Sequence, residues 1–398
     1  MRFLTTILLF TALSIPVFAQ VSDSVDRSNT IFRNTLYTSQ FGKAQVGGYA
    51  QIDYNQPFGN DVSENGTMDI HRLVVFLGHR FNDRLNFFTE IELEHVEEVS
   101  VEQAFLEYKL TNWLNFRGGL ILIPMGIVNE YHEPPTFNGV ERPNLDKYII
   151  PSTWREIGIG FAGNLPSSSI SYQAYLVNGP LSYDGGALFR GVDGIRKGRQ
   201  KGIESTFSGS PNVAMKVRYY GIAGLNLGAS GYFGQSQTTL NDGLDKSNAL
   251  LSARADSSKV GIQMVEVDAR YRKRAFQARA QWVYTHLSNT NEYNAFTGTD
   301  LGSRMTGYFV EAGYDLLGMN KQVPEQLILF GRYEKYNTHS KVYEGLQVNA
   351  QYDRTDLTFG LTFKPSENTA FKADYQHFSN ALPESGKNQL NLGVGVWF

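Results

Sequence analysis

The sequence predicts an all-β fold: a transmembrane antiparallel β-barrel of about sixteen strands, with long external loops and short periplasmic turns. Three observations carry this. Tyr 22, Phe 26 and Trp 4 stand beside 39 Gly, yet past residue 20 no apolar run is long enough to cross a bilayer as a helix. Apolar and polar residues alternate with period two in segment after segment. The connections between those segments are short and long by turns, as in a barrel with two unlike rims.

The elements follow in chain order. MRFLTTILLFTALSIPVFAQ has a basic start at Arg2, an apolar run from Phe3 to about Val17, and small residues at Val17 and Ala19. Residues 1–19 therefore read as a secretory signal peptide. Residues 20–45 are polar and patternless, an N-terminal extension. The barrel is expected over 46–398, with strands at 46–54, 68–80, 85–95, 99–109, 114–122, 156–163, 170–177, 214–221, 225–235, 260–272, 275–286, 305–316, 326–336, 357–364, 369–378 and 388–398. In 275–286, Phe276, Ala278, Ala280, Trp282 and Tyr284 share a face opposite Gln277, Arg279 and Gln281. In 357–364, Leu357, Phe359, Leu361 and Phe363 oppose Thr358, Gly360, Thr362 and Lys364. Segment 99–109 alternates less cleanly. The last stretch, NLGVGVWF, alternates to Phe398, so its strand must pair with the first to leave no edge. Both termini then lie at the short-turn rim. This ending resembles the C-terminal signature that the barrel-assembly machinery reads, with Phe398 as its last residue.

The longest proline-rich connection is 123–155, with Pro124, Pro134, Pro135, Pro143 and Pro151. A loop of about thirty residues is seldom idle. We expect it to fold inward as the constriction, carrying Glu130, His132, Glu133, Arg142, Lys147 and Arg155. The pattern Pro-x-Gly-x-x-Asn-Glu-x-His-Glu-Pro at 124–134, the pair Arg142–Pro143 and IIPSTWREIGIG at 149–160 resemble the porin O/P family of phosphate-selective porins, especially its Bacteroidetes-like members. The resemblance spans roughly 46–398. It implies a sixteen-stranded homotrimeric barrel in a bacterial outer membrane, in contact with lipid and lipopolysaccharide. It also implies passive diffusion of small anionic or polar solutes, phosphate among them, along inward arginines.

The residues themselves leave the anion preference open. Arg72, Arg80, Arg117, Lys216, Arg218, Arg270, Arg272, Arg279 and Arg332 fall on lumen faces, and arginine suits phosphate well. Asp53, Glu90, Glu92, Glu94, Glu266, Asp268, Glu311, Asp315, Glu334 and Asp374 fall on the same faces. A wall of cross-strand ion pairs is the competing reading, and on residues alone the better one. Of these cations, Arg72, Arg117, Arg218, Arg270 and Arg279 are the candidate anion contacts. Arg196, Lys197, Arg199 and Lys201 form a second basic cluster, readable as an anion-collecting vestibule or a solvated loop.

Other functions find less support. A net charge of -3 argues against a nucleic-acid partner. The absence of Cys excludes disulfides and thiolate metal sites. The seven His show no helix-spaced pair, and although NEYHE offers two carboxylates and an imidazole, no metal or other cofactor is assigned. No nucleophile–base motif marks an enzyme. An adhesin or receptor barrel is the alternative function, because long external loops would serve it.

Overall fold

A computed structural model describes residues 44–59, 64–199, 206–207, 209, 211–320 and 323–398. The expected signal peptide, nearly all of the extension and Lys201 lie outside the described residues. Strand β1 (Ala44–Phe58) takes in the last two residues expected for that extension, because Ala44 and Gln45 pair with His79 and Gly78. The wall continues through β2 (Thr67–Arg80), β3 (Leu85–Glu94), β4 (Glu98–Lys109), β5 (Asn115–Leu122), β6 (Arg155–Leu165) and β7 (Ile170–Val177). Two small strands, β8 (Leu181–Tyr183) and β11 (Gln237–Thr238), pair in parallel outside the wall. Between and after them the wall resumes with β9 (Asn212–Ile222), β10 (Leu225–Gln235), β12 (Gly261–Lys273) and β13 (Phe276–Ser288). It ends with β14 (Arg304–Asp315), β15 (Gln326–Lys341), β16 (Asp353–Ser366), β17 (Thr369–Asn380) and β18 (Lys387–Trp397).

Sixteen of these strands close an antiparallel barrel in simple chain order. The seam joins β1 to β18, with Tyr49 opposite Trp397 and Phe58 opposite Asn388. Gly48 and Phe398 exchange two backbone hydrogen bonds, of 2.8 and 2.9 Å. Among the described residues the barrel wall therefore has no unpaired edge.

Each expected wall strand has its counterpart. The largest difference is length at the long-loop rim. β15 runs on to Lys341 and β16 starts at Asp353, where YNTHSK and DRTD have no apolar face. A strand standing clear of the lipid needs no apolar outer row, and inside it Thr338 and His339 are buried against Gly191 and Asp300 of other connections, so the period-two signature is lost.

β4 explains its own irregular pattern. Glu90 pairs with Gln103 but Ile91 pairs with Val101, so Glu102 is an extra residue in β4. This bulge turns Glu102 and Gln103, neighbours in sequence, to the same buried side.

Leu73, Ile159, Val217, Val267, Trp282, Val310, Leu329, Phe359 and Leu392 are exposed on the outer face, together with many similar residues around the circumference. A continuous apolar belt of this kind is the surface a bilayer covers. At the short-turn rim Phe81, Trp113, Phe276, Tyr314 and Phe398 stand exposed, an aromatic girdle. Among the described residues no helix is long and apolar enough to cross a membrane.

The inside differs from a plain ionic wall. Phe76, Phe88, Phe105, Phe309 and Tyr336 also point inward and are buried. They pack with Ile123, Met125, Ile127, Leu145, Ile150 and Trp154 of the β5–β6 connection in one apolar cluster.

Candidate functional site

The β5–β6 connection crosses the lumen. Its neck is closed where the N–H of Ile123 donates to the carbonyl of Trp154 at 2.9 Å. Asn129 stitches the neck shut: its Nδ2 donates to the carbonyls of Ile123 (2.7 Å) and Trp154 (3.0 Å), and its Oδ1 accepts from the N–H of Trp154 (2.8 Å). The Trp154 ring lies 4.5 Å from that of Tyr232 and donates to Glu156 at 2.8 Å. Gly126, at φ +70, lets the chain turn inward.

Beyond the neck the loop is bound to the wall by polar groups. The N–H groups of Val140 and Leu145 donate to Asp374 (2.6 Å) and Glu334 (3.0 Å). Asn138 and Asn144 donate to Glu311 (3.0 Å) and Asp356 (2.7 Å). Gln281 accepts from the N–H of Ile127 and donates to Asp146. Lys216 and Lys364 donate to the carbonyls of Gly126 and Pro135. A folded-in loop carries backbone groups that must find partners away from water. The wall carboxylates supply them, a role in addition to the ion pairing that their sequence suggests.

The far turn of the loop rests on the seam. Val140 and Pro134 sit where β18 has Gly393 and Gly395. A methyl group at Gly395 would collide with Pro134, and one at Gly393 would press on Val140 at 2.9 Å. The inward glycines of NLGVGVWF therefore make room for the loop.

The charged residues expected at the site fall into three groups. In the first, Arg72 lies 3.1 Å from Glu92, 3.8 Å from Glu94 and 3.9 Å from Glu102. His132 sits against Glu102 at 3.2 Å, and Arg142 donates to the carbonyl of His132. Glu133 adjoins His132, Glu102 and Arg142. Burial, and then the Arg72 guanidinium, push Arg142 down to about 10, which leaves it charged at neutral pH. Lys147 lies over the ring of Tyr148, with its Nζ 5.8 Å from the centroid. Arg155 is buried close to Arg199.

In the second group Arg117 is bound to Glu107 (2.8 Å) and to the hydroxyl of Tyr175. Glu130 lies between Lys216 (3.0 Å) and Arg218 (3.6 Å) and accepts from Gln173. Burial alone would raise the Glu130 carboxyl, but these two cations hold it below its ordinary value. Arg117, Glu130, Lys216 and Arg218 line a cavity of 430 Å³.

The third group lines a second cavity of 580 Å³, with Arg270, Arg272, Arg274, Arg279 and Lys364 facing Glu311 and Glu367. Arg279 is bound to Glu311 at 2.9 Å. Tyr131 borders both cavities, and the guanidiniums of Arg218 and Arg270 each lie 5.0 Å from its ring centre. Sequence reasoning did not select Arg274 or Lys364 for the site. They belong to strand ends and turns of separate hairpins, which only barrel closure brings together.

The second basic cluster is largely engaged. Lys197 pairs with Asp193 at 3.0 Å, Arg199 donates to the carbonyl of Ser152 at 2.5 Å, and Arg196 is half-buried. Burial and the nearby Arg196 push Arg199 down to about 10. Arg199 therefore ties the β7–β9 connection to the inward loop.

No family model matches the chain. It is 34% identical over 339 residues to an uncharacterized protein of Aquifex aeolicus (strain VF5), covering 83% of this chain and 74% of that one. Its fold is similar to that of OmpF of Salmonella typhi, solved in complex with daunomycin (TM-score 0.57, 14% identity, 90% of this chain and 98% of that one). It is also similar to an anion-selective porin from Comamonas acidovorans (TM-score 0.57, 11% identity, 89% and 99%). A third similar structure is the outer membrane channel DcaP of Acinetobacter baumannii (TM-score 0.54, 12% identity, 90% and 99%).

Proposed function

The chain belongs to one family with the uncharacterized Aquifex aeolicus protein, and from that premise we propose that it is a porin of the bacterial outer membrane. It passes small hydrophilic solutes by diffusion, with a modest preference for anions. The observation that carries this is the closed barrel, apolar outside and charged inside, with a loop bound across its lumen. The solved structures of similar fold are named as porins or as an outer membrane channel, which supports the reading.

Two features support the anion preference. The larger cavity is lined by five cationic side chains against two carboxylates. Arg142 in the loop and Arg199 in the β7–β9 connection add further cations, offset in part by the carboxylates around them. The resemblance of 124–134 and 149–160 to phosphate-selective porins points the same way, and extends the reading to a homotrimer. The ion pairs at Arg72, Arg117, Lys216 and Arg279 keep the preference modest, since a paired guanidinium attracts a passing anion less.

The test is the reversal potential of the purified protein in a planar bilayer under a KCl gradient, with and without phosphate. We expect a current that favours chloride over potassium and is reduced by phosphate. In Arg142→Ala/Arg155→Ala the reversal potential should shift toward the cation side, while heat-modifiable gel migration stays that of a folded barrel. Folded protein that conducts nothing would sink the porin reading. Cation selectivity in the unaltered chain would remove the anion preference alone.

A further inference from the structure

Three parts of the chain that are far apart in sequence bring ligating side chains to one buried place. Glu90 comes from β3, Glu102 from the bulge of β4 and His132 from the inward loop. One ligand atom of each lies within 4.8 Å of the other two. The imidazole is already oriented. His132 Nδ1 lies 3.1 Å from the carbonyl of Asn129, which can only accept, so Nδ1 carries a proton. Nε2 lies 3.2 Å from the Glu102 carboxylate, whose Oε2 also accepts from the Tyr49 hydroxyl at 3.4 Å. A divalent cation bound there would take the place of the proton that Nε2 otherwise shares with that carboxylate. A backbone carbonyl holding the far nitrogen is also how ligating histidines are usually fixed.

A second observation is independent of the histidine. Glu102 is fully buried, and its Oε1 accepts no hydrogen bond. Buried carboxylate oxygens are rarely left so. Charge points the same way: Glu90, Glu92, Glu94, Glu102 and Glu133 interact around this spot with three guanidiniums, those of Arg72, Arg142 and Arg199. Arg72 lies 3.9 Å from Glu102 Oε1, but it is shared with Glu92 and Glu94.

We propose that Glu90, Glu102 and His132 bind a divalent transition-metal cation that fastens the inward loop to the β3–β4 wall. Mixed carboxylate and imidazole donors suit zinc, iron(II) or manganese(II) better than calcium. Donors around such an ion stand ~3–3.5 Å apart, closer than the 4.8 Å bound on these three, so the glutamate side chains would close in on it. Glu133, which also has an unpartnered buried oxygen, lies within reach as a further donor. The bulge has a purpose on this account. Without the extra residue, Glu102 and Gln103 could not both face inward.

Asp69, His71 and His95 at the long-loop rim form another ligand cluster. Arg72 Nη2 lies 2.9 Å from His71 Nε2 there, so a positive charge already faces that ring. The test must silence this rim.

The full chain, purified in detergent and stripped with a chelator, is titrated with ZnCl2 by calorimetry in a His71→Ala/His95→Ala background. One zinc per chain should remain. His132→Ala and Glu102→Gln, each added to that background, should weaken it about tenfold or more. Cobalt(II) should give a visible ligand-field band that His132→Ala abolishes. Should His132→Ala lose the heat-modifiable shift of a folded barrel, Glu90→Gln is the variant that decides, with the same weakening expected. No zinc bound in the rim-silenced chain, or equal binding in the folded inner-site variants, overturns the proposal.

Discussion

Excising residues 125–152 and closing the gap with a short glycine–serine turn will raise single-channel conductance several-fold and leave the barrel closed. The two halves of this result have separate causes. Closure rests on the sixteen-strand ladder and on the β1–β18 seam, and the loop contributes no strand to either. Conductance depends on the open cross-section, which the loop occupies from the β3–β4 wall to the seam. The neck bond between Ile123 and Trp154 lies at the edge of the excised segment, so a tight turn fits there. Single-channel recording checks the first half and heat-modifiable migration the second. Unchanged conductance in a folded excision variant would mean that ions take a path the loop does not narrow.

Arg332→Met will cost about 3–5 kcal/mol of stability, the range for removing one partner of a buried ionic cluster. The Arg332 side chain is fully buried, 3.4 Å from Glu311 and 3.0 Å from Glu334, and it donates to the carbonyl of Glu141 in the loop. Methionine fills most of the volume but takes from Glu334 the cation beside it and leaves Glu311 with Arg279 alone. The damage will reach the loop, because Glu311 and Glu334 also hold Asn138 and the N–H of Leu145. The apparent unfolding midpoint in denaturant should fall, and protease should cut between residues 138 and 147. Arg332→Lys should recover only part of the loss, since one ammonium cannot span Glu311, Glu334 and the Glu141 carbonyl together. A midpoint unchanged in Arg332→Met would show that water reaches this cluster and screens it.

The wall was legible because lipid imposes one rule on every strand. Leu357, Phe359, Leu361 and Phe363 must face outward whatever lies within, so alternation shows in a single sequence. Inward residues obey no such rule. Phe88 and Phe105 point into the lumen because an apolar loop face meets them there. Nothing in their own strands distinguishes that from lipid contact. The loop betrayed itself by length and proline. Its partners did not, since Asp374 and Glu334 read equally well as ion-pair members or as acceptors for backbone N–H groups. Bulges are hard to see for a related reason. The extra residue at Glu102 breaks the period once, and one break in a segment such as VSVEQAFLEY looks like noise. The helix Ala249–Ser257, capped where Asn248 accepts from Leu250 and Leu251, lies among connections where no wall strand was expected and no other element was sought.

The glycines beneath Pro134 and Val140 tie together two parts of the chain that mutate separately. Over the history of such a lineage, the last strand could gain a side chain at 395 only after the loop had given up bulk at 134. A swap of loops between relatives would fail unless the matching stretch of the last strand travelled with it. The terminal residues thus preserve an imprint of the loop's shape, inherited along with it.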